Sequence, residues 1–276
     1  MGLPGALRRL GVLNAEGAAV PVEPSTLLPG PKEVVRFSAT ERAFHWAFAL
    51  PFLGLLLSGL PLSFPILRSW ITGYSLQIGV RLHLVCAVAW VVAPALVVAL
   101  GDRKALARAV ADLFVILRNE WRWLRQSLRW LAGLDCELGG VARFNAGQKL
   151  NAWLVAMGSV IFGITGIVLW IAWQWPDLAA AAGVLTRERI EWSRSLHYLL
   201  TLLMLAPLLG HIILATIYPR TNGSLRGMLF GVVDAEWARE HHPLWFAQIH
   251  QAALGPEGDA SARERPSRSY AGSFKP

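Results

Sequence analysis

Residues 195–219 read SLHYLLTLLMLAPLLGHIILATIYP, 25 residues without Asp, Glu, Lys or Arg, carrying His197 and His211. At about 100° and 1.5 Å per helical residue, the fourteen steps between them return to within about 40° of one face and descend about 21 Å. An imidazole is costly inside a bilayer and is read first as functional. Two on one helix, one toward each leaflet, suit a ladder for two stacked haems. The motif alone leaves open that a membrane histidine simply bonds a neighbouring carbonyl.

Three further stretches lack charged side chains and are long enough for a hydrocarbon core of about 30 Å: 43–67, 82–100 and 150–176. With 195–219 they predict an all-α integral membrane fold, a bundle of four transmembrane helices. Of 276 residues 54% are hydrophobic and only 16% charged, against about 25% charged in soluble domains.

A net charge of +8 raises the question of nucleic acid, but the placement of the charge excludes it. Residues 1–42, 101–149 and 219–276 hold 21 Lys and Arg, whereas the short connections 68–81 and 177–194 hold 5. By the positive-inside rule, both termini and the long middle segment face the cytoplasm. The predicted location is the bacterial inner membrane. Cys86 lies in a span and Cys136 in a cytoplasmic segment, so no disulfide is expected. There is no CxxCH and no cysteine cluster for an iron–sulfur centre; any iron is expected in non-covalent, histidine-ligated groups.

Residues 1–35 read as a flexible cytoplasmic extension, 36–250 as the membrane domain and 251–276 as a disordered tail. Pro61 is expected to bend or end the first span. Between the second and third spans, Leu106, Val110, Leu113, Leu117, Trp121, Leu124 and Leu128 form an apolar stripe beside Arg118, Arg122, Arg125 and Arg129. That reads as a cytoplasmic amphipathic segment on membrane lipid, or as a contact surface for a partner protein.

Topology converts position into height. His83 lies two residues past Arg81 and His197 three past Arg194, both near the outer face. His45 lies three residues into a span that starts inside, level with His211. The expected pairs are His83 with His197 and His45 with His211, ligating two haem b groups. Two axial imidazoles leave no open position on iron, which points to electron transfer rather than oxygen chemistry. Arg42 and Lys149 inside, and Arg81 and Arg194 outside, are candidates for the propionates or simply span-terminating charges. His241, His242 and His250 read as surface or subunit-contact residues. The reading of a different class is a haem-free anchor or small transporter.

Several motifs carry a family resemblance: Arg36-Phe37-Ser38 and Glu41-Arg42-Ala43-Phe44-His45-Trp46; Phe144-Asn145-Ala146-Gly147-Gln148-Lys149; the paired His197 and His211; Gly223-Ser224-Leu225-Arg226-Gly227-Met228; and Trp237-Ala238-Arg239-Glu240-His241-His242-Pro243-Leu244-Trp245. Over residues 34–250 the chain resembles the gamma subunit of respiratory formate dehydrogenases, a di-haem cytochrome b membrane anchor. The first motif is shared with related hydrogenase and thiosulfate reductase cytochromes b, which are the alternative, together with other molybdoenzyme complexes. The resemblance implies haem ligands at His45, His83, His197 and His211. It implies a quinone pocket (menaquinone or ubiquinone) at Asn145, Gly147 and Gln148 near His211. It also implies an Fe–S beta subunit and a molybdenum or tungsten alpha subunit that oxidises formate, and leaves room for a higher oligomer. Electrons would then run through the outer and inner haems to a quinone on the cytoplasmic side. The long N-terminal extension, the Arg/Trp-rich middle segment and the tail depart from the family pattern.

Overall fold

The computed structural model describes residues 32–71, 73, 75–114, 120–132, 134, 141–177 and 185–251. Most of the predicted extension, the tail beyond 251, and Leu117, Arg118 and Cys136 lie outside these residues. Four long helices carry the chain: α1 (Ala39–Ser63), α3 (Leu76–Leu100), α6 (Ala146–Gln174) and α7 (Arg187–Thr216), with the short α2 (Pro65–Ser69) after α1. All four are long and apolar enough to cross a membrane. Their outward faces expose Leu, Val, Ile and Trp along their lengths, a surface suited to lipid.

Each long helix begins at a residue that can cap it. Ser38 and Asn145 form reciprocal capping boxes with Glu41 and Gln148, while the Ser75 and Thr186 hydroxyls each accept one first-turn N–H. The first span does not end at Pro61, which lies inside α1. It breaks at Phe64, whose extended backbone (φ −115°, ψ 104°) precedes Pro65. A residue before proline is pushed out of the α region, so Pro65, not Pro61, sets the boundary. Helix α7 starts at Arg187, two turns before Arg194, because its charged first turns continue the same hydrogen-bond ladder.

Helix α1 packs chiefly on α3, and α6 on α7; backbone approach between these two layers is sparse. Within the first layer Gly54 sits against Cys86, where an added Cβ would lie 2.7 Å from Sγ. Small residues of this kind let membrane helices approach closely.

In the middle segment the described residues form α4 (Arg103–Phe114) and α5 (Glu120–Leu131). Ala105, Ala109 and Ser127 are the buried positions, whereas Trp121 and Leu128 are 70% and 63% exposed. Helix α4 packs on α6, α1 and α3, and α5 packs on α6.

The fold is not purely helical. Glu33–Val35 (β1), predicted as part of a flexible extension, pairs antiparallel with Val232–Asp234 (β2), with Val34 opposite Val233. Helices α8 (Ser224–Phe230) and α9 (Ala235–His241) flank β2. Val233, Ala238 and Trp245 are buried there, with Val34, Trp237, Phe246 and Ile249 packed around them. Gly231, at φ 87° between α8 and β2, brings its Cα so close to Phe37 that a Cβ would meet the Phe37 carbonyl at 2.8 Å.

His242 is not a surface residue: it is 3% exposed. Its Nδ1 lies 2.8 Å from the Ala142 carbonyl, and its Nε2 lies 2.8 Å from an Arg36 N–H. A carbonyl only accepts and a guanidinium only donates, so the ring carries its proton on Nδ1 and is neutral. The Arg36 guanidinium lies 5.2 Å from the Trp237 ring centre and 5.3 Å from that of Phe37. Burial, and then the Arg143 charge, lower Arg36 to about 9. Burial, and then the Arg36 charge, hold His242 at about 3 against its ordinary 6.5. Between those two values the unfolded chain binds a proton that the folded chain refuses. The stability from His242 is therefore full above about pH 6.5 and drains away as pH falls toward 3. The thermal midpoint is expected to drop on acidification from neutral pH, and His242→Phe to flatten that slope. An unchanged slope would contradict the assignment.

Candidate functional site

Across the sparse space between the two helix layers, imidazoles meet at two levels. His83 of α3 faces His197 of α7, and His45 of α1 faces His211 of α7, each pair with ring centres 6.3 Å apart. The rings are inclined at 66° and 52°, so neither pair stacks. A metal held by imidazole nitrogens at about 2 Å on either side separates two ring centres by about 6 Å. Among the described residues no group of three or more His, Cys, Asp or Glu could hold a metal ion. Two imidazoles facing each other therefore suit a metal whose remaining ligands arrive with it, as the macrocycle of a haem provides. The paired donors fit that group.

The surroundings differ between levels. Ser58 Oγ lies 3.0 Å from His83 Nδ1, and Thr165 Oγ1 lies 2.8 Å from His197 Nδ1. Gly59 leaves room for the His83 ring: a Cβ there would approach its Cε1 to 3.1 Å. Gly166 borders His197 in the same way at 3.7 Å. At the other level, His45 Nδ1 is buried with no hydrogen-bond partner among the described residues. Phe162 of α6 packs edge-on to His197 and faces Phe52 of α1, which contacts Phe48 and Trp90. Sequence reasoning missed Ser58, Thr165 and these aromatics. Their signal is present only once α7 and the helices beside it are rotated into place.

The Asn145–Lys149 motif opens α6. Asn145 Oδ1 accepts from Gln148 N at 2.8 Å, and Gln148 Oε1 accepts from Asn145 N at 3.0 Å. These bonds engage Gln148 through Oε1, not through its amide hydrogens. Gly147 is helical rather than part of a flexible turn; Asn145 Oδ1 lies 3.3 Å and the Trp123 ring 3.8 Å from where its Cβ would be. Lys149 is buried and paired with Glu120, which ties α5 to the first turn of α6. It is thus engaged within the protein rather than held open for a propionate. Arg42 donates to the Leu229 carbonyl at 2.7 Å, Arg194 pairs with Glu191 at 2.9 Å, and Arg81 is exposed.

Four membrane-length helices with two levels of facing imidazoles define a membrane cytochrome of the b type. The chain belongs to the prokaryotic cytochrome b561 family, whose model matches residues 36–231. It is 26% identical over 239 residues to the nitrate-inducible formate dehydrogenase cytochrome b556(Fdn) subunit of Escherichia coli K12, covering 83% of this chain and 97% of the relative. To the formate dehydrogenase cytochrome b556 subunit of Haemophilus influenzae it is 25% identical over 217 residues, 78% of this chain and 83% of that one. The cytochrome b556(fdo) subunit of E. coli K12 formate dehydrogenase is 22% identical over 228 residues, covering 79% and 94%.

Proposed function

We propose that this chain is the membrane-anchoring cytochrome b subunit of a respiratory formate dehydrogenase, holding one b-type haem between His83 and His197 and a second between His45 and His211. The observation that carries the reading is the matched 6.3 Å spacing of two imidazole pairs, one on each level of a membrane-length bundle. Haems so ligated would take up and release single electrons without binding oxygen. The chain's own residues supply the ligands, the apolar walls and the height separation of about 21 Å along α7. The relatives' names support formate dehydrogenase; the resemblance to its gamma subunit implies an Fe–S beta subunit and a molybdenum or tungsten alpha subunit that oxidises formate as partners. The Lys/Arg distribution supports cytoplasmic termini in a bacterial inner membrane, with the His83–His197 level outermost. Each charge carried inward across 100 mV stores about 2.3 kcal/mol.

A quinone takes two electrons and two protons to become quinol, so its pocket needs donors near the inner level. Asn145, Gly147 and Gln148 open α6 at the end of the bundle that carries His45 and His211. The Gln148 amide hydrogens, not used in its cap, suit a quinone carbonyl. Gln148→Ala is expected to lose most formate-dependent quinone reduction while both haem signals persist; unchanged kinetics would remove Gln148 from the pocket. The purified complex is expected to reduce quinone with formate. Reduction driven by hydrogen or thiosulfate and not by formate would assign the chain to a different complex.

A further inference from the structure

The two levels differ in what holds the far side of each imidazole, and that difference has a chemical consequence, granted the haem ligation proposed above. Ser58 and Thr165 are 3% and 4% exposed. A hydroxyl has one hydrogen. Ser58 Oγ directs it to the Gly54 carbonyl at 2.6 Å, and Thr165 Oγ1 to that of Ile161 at 2.7 Å. Carbonyl oxygens cannot return a hydrogen, so each hydroxyl oxygen meets its imidazole as an acceptor. The hydrogen in the Ser58–His83 and Thr165–His197 contacts then comes from Nδ1; the His83 ring has the Leu55 carbonyl as a further acceptor. Both rings thus carry N–H at Nδ1 and a lone pair at Nε2, ready to bind iron. His45 has no such acceptor at Nδ1 among the described residues.

We propose that Ser58 and Thr165 are positioning residues that lock His83 and His197 in the Nε2-ligating tautomer, raise their basicity and lower the potential of the haem at that level. An imidazole that donates from its outer nitrogen gives more electron density to the metal and favours the oxidised iron.

The test is a spectroscopic redox titration of the full-length chain purified with its partner subunits. Thr165→Val keeps the branched shape and deletes the hydroxyl; Thr165→Ser keeps the hydroxyl. Thr165→Val and Ser58→Ala are each expected to shift one haem component to a more positive midpoint and leave the second in place, with Thr165→Ser close to the parent protein. Partial loss of that component in Thr165→Val, restored in Thr165→Ser, supports the same conclusion; such outer contacts are commonly worth about 10–100-fold in metal affinity. A Thr165→Val protein with both haems at parental midpoints overturns it, as does equal loss in the Val and Ser variants. His197→Ala separates this from the ligand assignment: a His197→Ala protein that retains both haems defeats the ligation itself, whatever the hydroxyl variants do.

Discussion

Replacing His83 with alanine is expected to remove one of the two proposed haem signals, leave the other, and take the proposed formate-dependent quinone reduction to background. His83 is the ring that α3 presents to His197, at 6.3 Å between centres. Without it, a haem at that level would have one protein ligand instead of two, and both its retention and its electron-transfer role would be lost. The damage stays local for a structural reason. Helix α3 meets α1 through the Gly54–Cys86 contact as well, and the second imidazole pair is carried by α1 and α7. The measurement is haem per protein together with the reduced-minus-oxidised spectrum. His211→Ala is the mirror experiment and should delete the complementary component. Two intact signals in either variant would mean that these imidazoles hold no haem.

The largest expected loss of stability comes from Glu41→Ala. Glu41 is buried at the start of α1, where its Oε2 accepts from Ser38 N at 2.8 Å and its Oε1 accepts from Arg143 at 2.6 Å. Arg143 also donates to the Arg36 carbonyl at 2.8 Å, and Arg36 donates back to the Arg143 carbonyl at 3.2 Å. Removing the carboxylate leaves Arg143, whose side chain is 17% exposed, beside the Arg36 charge, with Asp112 at 3.3 Å its one remaining carboxylate partner among the described residues. Breaking one side of a buried pair typically destabilises by about 3–5 kcal/mol, because the remaining charge is left uncompensated. The Ser38 hydroxyl still caps the backbone N–H of residue 41, but the Ser38 N–H loses its acceptor, which adds about 0.5–1.5 kcal/mol. Glu41→Gln retains a capping oxygen and so should fall between the parent and Glu41→Ala. Thermal unfolding in detergent ranks the three. A Glu41→Ala protein as stable as its parent would show that the end of the bundle is held by the β1–β2 pairing and its apolar core alone.

The four spans were legible because a run without charges is a local property of the chain. The heights of His45, His83, His197 and His211 were legible for a similar reason: helical rise converts residue counts into distance. The boundary at Phe64 was missed because two prolines compete within five residues, and only the packed helix selects Pro65 as the break. The burial of His242 was hidden by its polar neighbours. His241-His242 looks like surface sequence until β1 and β2 bring Arg36, which lies 206 positions earlier, against its ring.

What the amino-acid order determined unaided is therefore axial: which segments cross, which ends are basic, and how high each imidazole stands, since rise per residue and the exclusion of charge from hydrocarbon act without reference to neighbours. Tertiary structure alone decided what is rotational. It turned Ser58 toward His83 and Thr165 toward His197, left His45 Nδ1 without a bond, and joined strands nearly two hundred residues apart. The azimuth of a helix is settled by the side chains it packs against, and those contacts exist only when distant parts of the chain have met.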